Sequence, residues 1–238
     1  MEMYDLSVTI RPGMDVFPGD PPFRADAAAT IGRDGCNVLD LSMGTHTGTH
    51  IDVPRHFLAE GAPVDAVGPE RFTGPAWFAD LTREAATGIL DLVRMDLSML
   101  CPGDFLVLRT GWEERRGTPG FFTGLPRFAP GSAERLASLG VGMLGTDMPT
   151  VLAALPDGDA VDSPETGGVP RDASVMHRAL LSRGILLLEG LVGLAPLCGR
   201  RLTLFALPLR IAGADGSPVR AVAVEGLLPS GLSAGAAT

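Results

Sequence analysis

The residues between the histidines of Met43-Gly-Thr-His46-Thr-Gly-Thr-His50-Ile-Asp52-Val-Pro-Arg-His56-Phe57 rule out a helix for this stretch. Thr45, Thr47 and Thr49 are β-branched, while Gly44, Gly48 and Pro54 each disfavour a helix interior. An extended chain is expected instead. Positions 46, 50 and 52 differ by even numbers, so a strand would project their side chains from one face. Pro54 ends or bends that strand and leaves His56 near the others. Three of the chain's four histidines fall within the eleven residues 46–56. Imidazole is the commonest borderline metal ligand, a nearby carboxylate adds negative charge, and a further histidine moves protons near neutral pH. The segment therefore reads as a metal-centred reaction site rather than a polar loop with incidental histidines.

What surrounds this segment sets the fold class. With 238 residues, 45% of them hydrophobic, the chain can bury a substantial core as one domain, expected over residues 1–228. The Ser/Gly/Ala-rich residues 229–238 are expected to form a flexible tail. Strand-like runs occur at 4–10, 37–43, 76–80, 105–109, 141–145, 184–188, 202–207 and 219–224. Helices are expected at 89–100, at 133–139 behind Ser132 as N-cap, and at 173–182. Strands and helices alternate only in the second half, which points to a mixed α/β fold rather than a doubly wound parallel sheet. The stretches 113–130 and 155–171 read as loops. Phe17-Pro-Gly-Asp20-Pro-Pro22 reads as an ordered connection whose rigidity suits a turn or the wall of a pocket.

Composition narrows the function. A net charge of −9 leaves no excess of cations to neutralise phosphates, so nucleic acid is not an expected partner and a small molecule is. All nineteen basic residues are arginine. The absence of lysine excludes a Schiff-base lysine, a Ser-Lys dyad and a P-loop lysine. Cys36, Cys101 and Cys198 are odd in number, widely spaced and free of any CxxC pattern, which suits a reducing cytoplasm. The amino terminus shows no basic region followed by an apolar one, and the most apolar run, Ile185 to Leu188, stops at Glu189. A soluble cytoplasmic protein without membrane contact is expected.

Two more residues attract notice. His177 is the remaining histidine, and Glu189 closes an apolar run, where a carboxylate seldom sits unless it is paired or bound to a metal. A helix, a turn at Gly184 and a returning strand could bring the two together. Other motifs carry little. Asp157, Asp159, Asp162 and Glu165 lack the full ligand pattern of a calcium loop and read as a solvated surface. Gly231-Leu-Ser233-Ala-Gly235 matches a nucleophile elbow, but no histidine follows it, so the match reads as chance.

His46-Thr-Gly-Thr-His50-Ile-Asp52-Val-Pro54-Arg-His56-Phe57 resembles the signature HxGTHxDxPxHF of the putative cyclase family, which includes bacterial kynurenine formamidase, isatin hydrolase and enzymes of aromatic polyketide biosynthesis. The resemblance extends over Phe17-Pro-Gly-Asp20, Leu108 to Trp112, Leu144 to Asp147, His177 to Glu189, Ala206 to Arg210 and Asp215 to Arg220. It implies a swivelling β/β/α fold and a homodimer or higher homo-oligomer. It also implies that His46, His50 and Asp52 hold a first metal, that Asp52, His177 and Glu189 hold a second, and that His56 is the acid/base. Glutamate at 189 is similar to the two-zinc formamidase arrangement, whereas the manganese-dependent isatin hydrolases carry glutamine there. Met148-Pro-Thr-Val-Leu152 and His177-Arg178 depart from the formamidase pattern near the expected pocket.

The expected function is that of a metal-dependent hydrolase of a small amide, with an aryl formamide such as N-formylkynurenine as the leading substrate. His56 and Glu189 are the expected catalytic residues, and zinc, as one or two ions, is the expected cofactor, with manganese as the other candidate. Three other readings share the motif: an aromatic polyketide cyclase, a lactam-opening enzyme like isatin hydrolase, and a non-catalytic metal-dependent binding module.

Overall fold

The computed structural model describes residues 1–155 and 170–227. The strands are β1 (Met3–Asp5), β2 (Arg24–Ala29), β3 (Val38–Ser42), β4 (His50–Asp52), β5 (Thr73–Asp80), β6 (Ile89–Leu90), β7 (Phe105–Arg109), β8 (Arg127–Phe128), β9 (Met143–Thr146), β10 (Leu186–Glu189), β11 (Arg201–Phe205), β12 (Gly216–Pro218) and β13 (Val222–Val224). The helices are α1 (Ile31–Asp34), α2 (Thr82–Ala86), α3 (Ser132–Ser138) and α4 (Arg171–Leu181). Nine strands form one mixed sheet in the order β1-β13-β11-β5-β7-β9-β10-β4-β12. Its centre, from β5 through β7 and β9 to β10, is parallel, and its outer pairs are antiparallel. This is the mixed α/β architecture expected from the sequence.

Connectivity curls the sheet. β12 is the last strand on one side and β13 lies beside the last on the other, yet only residues 219–221 separate them. So short a link spans at most about 14 Å, so the two margins must approach each other. Hydrogen bonds from Leu6 N to Ala221 O and from Val219 N to Thr49 O sit at this junction.

Both faces of the sheet are covered, which explains the unbroken apolar runs of its central strands. Along β7, Phe105 and Val107 enter one core with Ile51, Leu186, Leu188 and Leu204. Leu106 and Leu108 enter the other with Leu144, Leu187, Leu136 of α3 and Leu180 of α4. The period-two alternation of a strand thus serves two cores rather than one core and solvent. β2 and β3 stand apart as a two-stranded ribbon, with Val38, Leu39 and Leu41 exposed.

Several local expectations change. The segment 89–100 is not a helix: after the short β6, Asp91 Oδ1 accepts from Val93 N and Arg94 N, and Asp96 Oδ1 from Ser98 N. Such local bonds offer the backbone an alternative to helical pairing. Its leucines 90, 92, 97 and 100 are nevertheless buried. The N-cap of α3 is Gly131, at φ +86°, and Ser132 is the first helical residue. Of the run 219–224 only β13, residues 222–224, is strand, because residues 219–221 form the link from β12, and the strand expected from residue 4 to 10 stops at Asp5. Beyond it, Ser7 N donates to Asp5 Oδ1 and Val8 N to Thr49 Oγ1, so side chains take these amides out of the ladder. The acidic residues Asp157 to Glu165, the serine motif around Ser233 and the expected tail lie outside the described residues. Among the described residues no helix is long and apolar enough to cross a membrane, and all three cysteines are free thiols.

Leu106, fully buried between β5 and β9, tests the second core directly. Leu106→Ala is expected to cost about 2–5 kcal/mol of stability, read as a lower denaturant midpoint at unchanged slope.

Candidate metal centre

The site is built on three neighbouring strands. β4 lies between β10 and β12, antiparallel to both, with Glu189 opposite His50, Leu187 opposite Asp52 and Gly216 opposite Asp52. His50 and Asp52 point to the face covered by α3 and α4, while Ile51 points into the other core. Only 50–52 is strand. Residues 46–49 form a tight turn in which Gly48 adopts φ +71°, so His46 arrives by a turn rather than by the even spacing expected from the sequence. A Cβ at Gly48 would also meet Val8 Cγ2 at 3.0 Å.

His177 comes from α4, more than a hundred residues away. Its Nδ1 donates to Ala173 O at 2.8 Å, one helical turn back. A carbonyl can only accept, so this bond assigns the proton to Nδ1 and turns Nε2 inward. His50 repeats the arrangement, with Nδ1 donating to Gly48 O at 3.0 Å. The two inward Nε2 atoms face the same two carboxylates. His50 lies 3.4 Å from Asp52 Oδ1 and 3.5 Å from Glu189 Oε2, and His177 lies 3.5 Å from Asp52 Oδ2 and 3.4 Å from Glu189 Oε1. Imidazole and carboxylate alternate around a closed ring of four nearly equal edges. Val151 N holds Glu189 Oε1 in place at 3.1 Å.

His46 adds a third imidazole, 2.8 Å from Asp52 Oδ1 through Nδ1 and 3.0 Å from Asp215 Oδ2 through Nε2. Burial opposes protonation of His46, but the charges and hydrogen bonds of Asp52 and Asp215 outweigh it and push its pKa up to about 10. Burial likewise opposes charge on His177, and Asp52 and Glu189 push it up to about 10. Asp52 is fully buried, which would raise its pKa, yet the neighbouring imidazoles of His46, His56 and His177 hold it well below the usual carboxylate range.

Asp215, in the turn before β12, completes the cluster. Its Oδ2 also faces His56 Nδ1 at 3.2 Å, and its Oδ1 accepts from Thr45 Oγ1 at 2.9 Å. These bonds from His46 and His56 hold its carboxyl well below the ordinary range. Across from Asp215, His56 stacks on His46 with ring centroids 3.9 Å apart. The structure thus brings together every site residue expected from the sequence: His46, His50, Asp52, His56, His177 and Glu189. It adds Asp215, which the sequence reading noted only inside a motif; its pairing with Thr45 and His46 spans 169 to 170 positions, and no local pattern marks it.

A cavity of about 100 Å³, open to solvent, leads to this cluster. Its walls include Val16, Phe17 and Asp20 from the Pro/Gly-rich connection, Phe57, and Arg116, Phe121 and Phe122 from the segment read only as a loop. Phe121 and Phe122 pack edge to face at 4.9 Å, and Phe57 lies 4.5 Å from His177.

Residues 4–151 match a protein family described as "Putative cyclase". The kynurenine formamidase of Paracidovorax citrulli is 33% identical over 223 residues, covering 92% of this chain and 95% of that one. The chain belongs to the cyclase family. Another cyclase-family relative, the kynurenine formamidase of Geobacillus thermodenitrificans, is 35% identical over 219 residues, or 91% of this chain and 94% of that one. Among solved structures, isatin hydrolase A from Labrenzia aggregata superposes with a TM-score of 0.77 at 24% identity, covering 93% of each chain. A predicted metal-dependent hydrolase from Bacillus stearothermophilus gives 0.71 at 23% identity, covering 93% of this chain and 97% of that one. At these identities the likeness establishes a shared cyclase-family fold. The motif from His46 to Phe57 lies within the matched span, whereas His177, Glu189 and Asp215 lie beyond it, so their place in the site rests on the strand register and on α4.

Gly216 is required by this packing. A Cβ there would stand 2.6 Å from Ile51 O and 2.8 Å from His46 Cε1. Gly216→Ala is expected to lower stability by roughly 1–3 kcal/mol through overpacking and to weaken divalent-metal binding, read by thermal melts with and without added metal.

Proposed function

We propose that the chain is a metal-dependent hydrolase that removes the formyl group from an aryl formamide, N-formylkynurenine or a close analogue. The observation that carries the reading is the ring of His50, Asp52, His177 and Glu189. Its edges of 3.4 to 3.5 Å are long for hydrogen bonds but fit pairs of adjacent metal ligands, since bonds of about 2.1 Å in a tetrahedron separate ligands by about 3.4 Å. Asp52 Oδ2, buried and without a hydrogen-bond partner, is what a missing cation would leave behind. The donor set of nitrogen and carboxylate oxygen suits zinc first and manganese second. His46, His50 and Asp52 would hold one ion, and Asp52, His177 and Glu189 a second. A divalent ion supplies Lewis-acid polarisation of a carbonyl and acidifies water towards neutral pH.

The chain's own groups do the rest. Phe17, Phe57, Phe121 and Phe122 give the cavity apolar, aromatic walls that suit an aryl ring and exclude water from around it. Water oxygen adds to the formyl carbon, the C–N bond breaks, and formate and an arylamine leave. His56 is the acid/base. Asp215 faces its Nδ1, which leaves Nε2 to give a proton to the departing nitrogen. Glu189, held at Oε1 by Val151, is placed to orient the attacking water with Oε2. Asp215 is a positioning residue that keeps the His56 ring orientation. The names of the relatives at 33 and 35% identity support formamide over lactam or polyketide substrates.

Metal analysis with an N-formylkynurenine assay is the decisive measurement. Formate release should require a divalent ion and carry oxygen from labelled water, and failure with every divalent ion supplied would overturn the reading. His56→Ala should reduce turnover by roughly 10²- to 10⁴-fold with metal content unchanged. Asp215→Asn, similar in shape but uncharged, should reduce kcat by about 10- to 100-fold. An unaltered kcat would remove Asp215 from the mechanism.

A further inference from the structure

Among the charged groups that the mechanism leaves unused, the guanidinium of Arg116 stands inside the same cavity as His46, His56 and Glu189. It enters from the segment after β7, just beyond the single turn Trp112–Arg115. The Phe121 ring lies 4.6 Å beneath it. Its Nη2 donates to Gly190 O at 3.3 Å, which ties it to the residue next to Glu189. The other end is unsatisfied: Nε is buried and has no hydrogen-bond partner.

No carboxylate among the described residues forms an ion pair with this guanidinium. Asp15, Glu113 and Asp147 attract it only from a distance, and each is otherwise occupied. Asp15 accepts from Gly117 N at 2.7 Å, Glu113 accepts from Gly193 N at 2.7 Å, and Asp147 accepts from Thr110 and Gly111. Burial lowers the pKa of Arg116, yet an arginine remains charged at neutral pH. A partly desolvated cation without a counter-ion is costly, and an anion arriving with a ligand removes that cost. The planar donor fork of a guanidinium matches a carboxylate. No other arginine lines the cavity among the described residues.

We propose that Arg116 is the substrate-carboxylate anchor of this pocket, so that preferred substrates are aryl formamides bearing a carboxylate on a side arm. The inference rests on the hydrolase reading above and deepens it by naming the residue that selects the carboxylated substrate. Phe121 lies against the guanidinium, Gly190 O holds Nη2, and the part of the guanidinium that lines the cavity receives the carboxylate. The aryl ring then lies between the phenylalanine walls, with its formamide towards His56. An arginine that instead stabilised the negative charge developing on the formyl oxygen would act equally on every formamide.

The test uses two matched pairs that differ only in the carboxylate. N-formylkynurenine and N-formylkynuramine are turned over by the metal-supplemented full chain, and kynurenine and kynuramine are titrated into it by calorimetry. The wild type should favour the carboxylated member of each pair at least tenfold, the scale of one charge-assisted hydrogen-bonded contact. Arg116→Gln should lower kcat/KM for N-formylkynurenine by about 10- to 100-fold, mainly through KM, while changing N-formylkynuramine less than about twofold. Arg116→Lys should restore part of the preference. Equal losses on both formamides, or a wild type indifferent to the carboxylate in binding, would overturn the anchor. Turnover of neither formamide would sink the hydrolase reading instead, and the calorimetric preference and its loss in Arg116→Gln would still decide the role of Arg116.

Discussion

Everything at the site depends on the pairing of β4 between β10 and β12. A strand of three residues, His50 to Asp52, carries two polar side chains to one face and Ile51 to the other. Its antiparallel register with β10 sets Glu189 beside His50, and its register with β12 sets the hydrogen of Gly216 beside Asp52. A slip of one residue would send His50 and Asp52 into the opposite, apolar core. The burial of Ile51, at 0% exposure, therefore protects the polar constellation as surely as any contact within it.

Around that register the electrostatics are organised by shortage. Asp52 and Glu189 are buried carboxylates, and among the described residues neither has an arginine as partner in the cluster; the side chains they face are imidazoles. Backbone carbonyls take the outer protons of His50 and His177, so both inner nitrogens are turned towards acceptors. Such an arrangement is stabilised by protons or by a cation at its centre. Asp215 works on the outer side, where one carboxylate oxygen serves His46 and His56 together and Thr45 steadies the other. His46 and His56 are thereby linked through one side chain.

Much of this was legible in the sequence because the chemistry is concentrated locally. The spacing of His46, His50, Asp52 and His56, and a glutamate closing an apolar run, identified the polar members without reference to distance. Helices at α3 and α4 were legible from their patterns, and the central strands from their apolar runs. The segment 89–100 misled because its leucines are buried as a helix's would be, while Asp91 and Asp96 spend their side chains on nearby amides and hold it in turns. The run 219–224 misled because its composition is uniform, whereas the closing of the sheet uses residues 219–221 as the link between two margins and leaves only 222–224 as strand.

By itself, the sequence determined the residue types of the site, the short strand 50–52 that carries two of them and the mixed α/β class, since these follow from local sterics and from hydrophobic periodicity. Only the tertiary structure decided that Asp215 joins His46 to His56, that Gly216 must lack a side chain, and that Arg116 and Phe121 face the same cavity as Glu189. These relations connect positions tens to well over a hundred residues apart, and they exist because a curled sheet buries both of its faces and brings its two margins together. No pattern along the chain encodes that closure locally.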